Sequence, residues 1–181
     1  MYKKLLNSQL SRITPEQYKT IGKTPVVLIL DNIRSQHNIG AAFRTADAFA
    51  IEKIYLCGIC AVPPSSEIRK AALGAEESVE WEYHEDTLTL VKTLKAEGIT
   101  PLAVEQTENS VMLNKFKPEP EKEYALIFGN EVKGVSQSVV DICNGTIEIP
   151  QFGTKHSLNV SVSVGVVLWE VVSKMGRLFE R

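Results

Sequence analysis

The sequence of 181 residues contains only three cysteines, no excess of positive charge, no G-x-G-x-x-G, no G-x-S-x-G and no apolar run of membrane-spanning length. Each absence removes a class. A small, odd cysteine count does not make a disulfide framework and agrees with a reducing compartment. A formal charge of -2 with a pI near 6.0 is not that of a protein held to nucleic acid by its overall charge. An RNA or DNA role would therefore rest on a local patch or a specific site. The missing glycine fingerprint argues against an ordinary dinucleotide enzyme, and the missing nucleophile elbow against a hydrolase. The opening MYKKLLNSQLSR is too short an apolar stretch for a signal peptide, so a cytoplasmic protein without a membrane segment is expected. What is present, 44% hydrophobic and 23% charged residues, is the composition of a soluble globular chain, and the length is usual for one domain.

Residues 1–24 are polar and locally basic, with Lys3, Lys4, Arg12, Lys19 and Lys23 against Glu16 alone, and read as an N-terminal arm or helix outside the core. A domain over 25–181 follows. VVLILD (26–31), a helical pattern over 38–50 and KIYLCG (53–58) make a βαβ unit, so the sheet should be mostly parallel with helices on both faces. Ser65 or Ser66 can cap a short helix ending at Gly74, VEWEYH (79–84) alternates as a half-buried strand, and Asp86 caps a helix stopping at Gly98. TPLAVEQ, YALIFG (124–129) and GTIEIP (145–150) read as strands, with a short helix at 136–143, giving about six strands. The polar stretch 107–123 reads as a surface loop. The tail is ambiguous: NVSVSVGVV (159–167) alternates like a strand, yet Ser157 could cap a helix to Lys174 with Val160, Val164, Val167 and Val171 on one stripe.

Three segments carry more polar and glycine residues than a core requires. In the first, Asn38 suits an N-cap, Gly40 permits close backbone approach and Arg44 follows, a plausible phosphate or carboxylate site at a helix N-terminus. The plainer reading is a capped helix with Arg44 pairing Asp47. The second, Gly129 through Gly134, has the spacing of a phosphate loop, but Val135 stands where its lysine should be, which leaves a polar turn at a strand's carboxyl end. The third runs from Ile149 through Gly153 to Ser157, Leu158 and Asn159; His156 beside Ser157 is not the geometry of a nucleophile and its base. The pair Cys57 and Cys60 forms a C-x-x-C, but no second pair exists for zinc and the prolines after Cys60 do not open a helix, so two buried strand-end residues are expected.

In this order, NIGAAFRTADAF (38–49), IFGNEVKGVS (127–136) and IEIPQFGTKHSLNVSVSVGVVLWE (147–170) resemble the three motifs of the SpoU (TrmH) family of RNA ribose methyltransferases, within the SPOUT superfamily. The resemblance implies a parallel α/β domain with a C-terminal trefoil knot, a homodimer, no metal, S-adenosyl-L-methionine as cofactor and methyl transfer to a ribose 2′-hydroxyl of tRNA or rRNA. It also implies that the tail is helical. Carried over by position, Arg44 matches the catalytic arginine, with Asn38, Glu131, Ser157 and Asn159 beside it, and Gly129, Ile149, Ser157 and Leu158 fall among the cofactor contacts. Gln36, Gln151-Phe152 and Ser163 depart from the common pattern. No segment matches the additional N-terminal RNA-binding domain of many members, which points toward tRNA. The competing readings are a non-catalytic RNA-binding relative and an unrelated doubly wound small-molecule enzyme.

Overall fold

The computed structural model describes residues 2–6, 9–10 and 12–176, so parts of the expected basic arm and residues 177–181 of the expected domain lie outside them. Among the described residues the strands β1 (Thr24–Asp31), β2 (Ile51–Cys57), β3 (Glu80–His84), β4 (Thr100–Val104), β5 (Val111–Met112), β6 (Tyr124–Phe128) and β7 (Gly145–Glu148) form one sheet in the order β3-β2-β1-β6-β4-β7-β5. Every ladder is parallel. The seventh strand is the two-residue β5, inside the stretch expected to be loop; it pairs with β7 through Val111 and Met112. A ladder this short is supplied by its partner rather than by local pattern, which is why periodicity does not reveal it.

The continuous apolar run of β1 is explained by burial on both faces. Val26, Leu28 and Leu30 enter one core with the helices α2 (Gln36–Ala48), α3 (Ser66–Ala72) and α7 (Val160–Lys174). Val27 and Ile29 enter the other with α5 (Thr87–Ala96) and α6 (Gln137–Val140). The helix α1 (Pro15–Thr20) starts on a capping box between Thr14 and Gln17, and α4 (Ala75–Ser78) precedes β3. The N-terminal segment is not wholly outside the core: Tyr18 of α1 is 4% exposed and its hydroxyl donates to the Ala46 carbonyl.

The tail is a helix, and its burial pattern says why. Val164, Val167, Leu168, Val171 and Val172 are buried at the spacing of one helical face. As a strand, the alternating valines would have left half of that set in water. Its N-cap is Asn159, whose Oδ1 accepts from the Ser161 N–H at 2.9 Å, and not Ser157. Val162, Val166 and Trp169 stay exposed on the opposite side of the helix, and Phe152 stands 99% exposed nearby in sequence.

Candidate functional site

In open parallel sheets ligands bind beyond the carboxyl ends of the strands. Here a cavity of about 540 Å³ lies at the ends of β4, β6 and β7, within the size range of small-molecule sites. Its walls are the turn 129–134 after β6 and the segment 149–159 after β7, with Glu105 and Gln106 following β4. Gly129, Glu131, Ile149, Ser157, Leu158 and Asn159 all line it. Asn38 and Arg44 do not.

The turn after β6 is tight because glycine allows it. A Cβ on Gly129 would collide with the backbone of Gly134 and Val135, so the chain folds directly back on itself. Asn130 sets the turn from inside: its Oδ1 accepts from the Val132 and Lys133 N–H groups at 2.9 and 3.2 Å, and its Nδ2 donates to the Asn32 carbonyl at 2.7 Å. Glu131 is thereby carried to the start of α2. Its carboxylate accepts from the backbone N–H of Arg34 at 3.3 Å and of Ser35 at 3.4 Å, and from Asn38 Nδ2 at 3.1 Å. Asn38 Oδ1 in turn accepts from Asn159 Nδ2 at 3.3 Å. A chain of hydrogen bonds, Glu131 to Asn38 to Asn159, thus joins the three polar segments.

This geometry revises two expectations about the first segment. Ser35, not Asn38, is the N-cap of α2, accepting from the Asn38 N–H at 3.2 Å. Asn38 lies inside the first turn, buried, which frees its side chain to bridge the other two segments. The anion expected at this helix N-terminus comes from within the chain, as Glu131. Burial pushes the Glu131 carboxyl up, but hydrogen bonds from its own N–H, from Asn38 and from the Arg34 and Ser35 N–H groups outweigh it, and the net shift is downward. Gly40 meets α3 rather than a ligand, since a Cβ there would strike the Ile68 carbonyl and the Ala71 side chain.

Arg44 is exposed and its side chain makes no hydrogen bond or ion pair with any described residue, so the surface pair with Asp47 does not form. Asp47 instead has its carboxyl pushed up by burial, partly offset by Lys23 and Arg12. Cys57 and Cys60 are buried, and Cys60 is woven into the core: its Sγ donates to the Leu30 carbonyl and accepts from the Ile33 N–H, both at 3.2 Å. Burial pushes the Cys57 thiol up to about 12 and the Cys60 thiol to about 11, so neither supplies a thiolate near neutral pH.

A model of the SpoU rRNA Methylase family matches residues 25–169, which takes in all three segments. The chain belongs to this family. Among its relatives, the 23S rRNA (guanosine-2'-O-)-methyltransferase RlmB of Neisseria meningitidis serogroup B is 32% identical over 152 residues, covering 84% of this chain and 60% of that protein. This chain therefore spans less than two thirds of the length of that curated relative. The A. aeolicus TrmH/SpoU tRNA modifying enzyme superposes with a TM-score of 0.77 at 26% identity, covering 87% of this chain and 78% of the other. The AdoMet-bound rRNA methyltransferase from Sinorhizobium meliloti gives 0.75 at 26% identity, covering 88% and 60%.

Four residues of this SpoU family chain bear on the site without having been singled out from the sequence. Asn32 sits at φ 57, a left-handed conformation that asparagine tolerates, and its Oδ1 accepts from the Ile59 N–H at 3.2 Å. Asn130 was hidden by its neighbour Glu131. Glu105 and Gln106 end a predicted strand, and position at the carboxyl end of a parallel strand was the one signal that could have flagged them.

Proposed function

We propose that this SpoU family protein is an S-adenosyl-L-methionine-dependent RNA 2′-O-ribose methyltransferase that acts as a homodimer, with the cofactor in the cavity at the ends of β4, β6 and β7. The observation that carries the reading is the chain from Glu131 through Asn38 to Asn159, which ties all three motifs to the rim of one cavity. The residues present fit the group: turns that expose backbone polar atoms surround the apolar Ile149 and Leu158 in a cavity of about 540 Å³. Exposed Val162, Val166 and Trp169 on α7 support a paired state, because a contiguous apolar face is a usual mark of an interface. The reading includes a trefoil knot for the C-terminal segment. Gln106 Nε2, bonded to the His156 carbonyl at 2.8 Å, ties 156–159 against the end of β4.

When bound, the cofactor supplies an electrophilic methyl group on a sulfonium sulfur. The task of the chain is to hold the acceptor hydroxyl about 3 Å from that carbon and in line with the bond to sulfur, and orientation alone supplies much of the acceleration. Arg44 is suited to the RNA side of the reaction: it is exposed and unpaired among the described residues, free to grip a phosphate with two parallel N–H bonds. A guanidinium carries only N–H donors and no acceptor, so Arg44 does not take the hydroxyl proton. It binds the RNA phosphate next to the acceptor ribose and stabilises the developing alkoxide, while that phosphate accepts the proton. Of the two RNAs, tRNA is the proposed substrate, in keeping with the likeness to the A. aeolicus TrmH/SpoU tRNA modifying enzyme.

Calorimetry with S-adenosyl-L-methionine, followed by mass spectrometry of nucleosides from tRNA and rRNA incubated with both, tests this. The expected product is a ribose-methylated nucleoside from tRNA, with Arg44→Lys losing transfer but keeping cofactor affinity. Cofactor binding without ribose methylation of either RNA would overturn the activity, and near wild-type turnover of Arg44→Lys would overturn the two-point grip.

A further inference from the structure

Two consecutive residues at the end of β4 reach both walls of the cavity. The Glu105 N–H donates to the Ile147 carbonyl at 3.1 Å, anchoring the residue to β7. Its Oε2 accepts from the Val135 N–H at 3.0 Å, and its Oε1 from the Gln106 N–H at 2.9 Å. Gly134 lies against the same carboxylate, where a Cβ would collide with Oε2, and it takes the left-handed φ of +67 that glycine adopts without strain. Gln106 reaches the other way, its Nε2 donating to the His156 carbonyl at 2.8 Å. Both side chains line the cavity.

We propose that Glu105 is a positioning residue which, with Gln106, clamps the turn 129–135 and the segment 156–159 onto β4 and so sets the shape of the cofactor cavity. The inference rests on the cofactor reading given above, and neither residue belongs to the three motifs. The chemistry calls for a carboxylate. Both oxygens receive a backbone N–H, and hydrogen bonds to an ionised acceptor are about twice as strong as neutral ones. An amide in its place offers one oxygen and one NH₂, so one of the two N–H groups would face a donor. Glu131 rides on the clamped turn, so the Val135 bond also steadies the carboxylate that reaches Asn38.

The test uses Glu105→Gln, nearly isosteric, and Gln106→Ala, whose side chain is exposed and whose loss spares the core. Hydrogen–deuterium exchange on the free protein reads the clamp without any ligand; calorimetry with S-adenosyl-L-methionine reads its consequence. In Glu105→Gln, amides 134–135 are expected to exchange faster and the cofactor Kd to rise about tenfold to a hundredfold. The KM for cofactor should rise by the same factor, with kcat falling far less. Gln106→Ala should loosen 156–159 instead, and it carries the test if Glu105→Gln does not fold. Wild-type exchange in both variants, or an unchanged Kd in variants whose exchange has risen, overturns the proposal. Faster exchange in variants of a protein whose wild type takes up no cofactor supports the clamp and removes the cofactor reading instead.

Discussion

Asn38 is the most informative single position, because among the described residues its side chain links Glu131 to Asn159. It is 8% exposed, so water does not readily replace what a substitution removes. Asn38→Ala deletes a donor to a carboxylate at 3.1 Å and an acceptor for Asn159 at 3.3 Å. The first is a hydrogen bond to a charged group, worth about 1.5–3 kcal/mol net, and the second, at a longer distance, about 0.5 kcal/mol. The bonds left to Glu131 from Arg34 and Ser35 are 3.3 and 3.4 Å long and do not compensate. A loss of roughly 2–3 kcal/mol in a domain of this size lowers the melting temperature by about 4–12 °C. Asn38→Asp separates this account from simple loss of packing. It keeps the shape but sets a second carboxylate against Glu131, and like charges raise a carboxyl pKa. A raised folded-state pKa means the folded state binds the proton more tightly, so the variant is penalised above that pKa and relieved below it. Calorimetric melts should therefore show a larger deficit for Asn38→Asp than for Asn38→Ala at pH 7.5, narrowing toward pH 5. A melting temperature for Asn38→Ala within about 1 °C of wild type, or an Asn38→Asp deficit that does not change with pH, would refute the reasoning.

The Glu131 carboxyl is held below its ordinary value, so its contribution is present above the unfolded-state pKa and is lost as pH falls through the folded one. Glu131→Gln should flatten the acid limb of the stability profile, and an unchanged limb in denaturant titrations across that range would contradict the bonding described. Cys57 and Cys60, with thiols pushed up to about 12 and about 11, should resist iodoacetamide at pH 8 in the native protein and react fully in denaturant; mass spectrometry showing rapid native alkylation of either would show their burial to be wrong. Gly40→Ala should cost about 1–3 kcal/mol by overpacking, because its Cβ meets the Ile68 carbonyl of α3, and a wild-type melting curve would show that α2 and α3 are not in such close contact.

Much of the fold is local in origin. The βαβ start, the parallel sheet, the caps at Ser65 and Asp86 and helices on both faces follow from period, capping residues and turn glycines, all of which act over a few residues. Pattern also picks out all three polar segments as unusual. The misses share a cause. Asn38 took the place of Ser35 as cap because both are good capping residues and only the chain's path chooses between them. From the sequence alone β5 reads as loop, because a two-residue strand is defined by its partner β7.

The sequence by itself determined most of the strands and helices, that the sheet is parallel, and which three segments carry the unusual polar residues, because periodicity and motif order are properties of neighbours along the chain. Tertiary structure alone decided that Asn38 bonds Glu131 across 93 positions and Asn159 across 121, and that the alternating valines after Asn159 form a helix. It also decided that Glu105 and Gln106 join the two walls of the cavity. The physical reason is the same in each case: such bonds satisfy buried or half-buried polar groups that come together only when β6 inserts between β1 and β4.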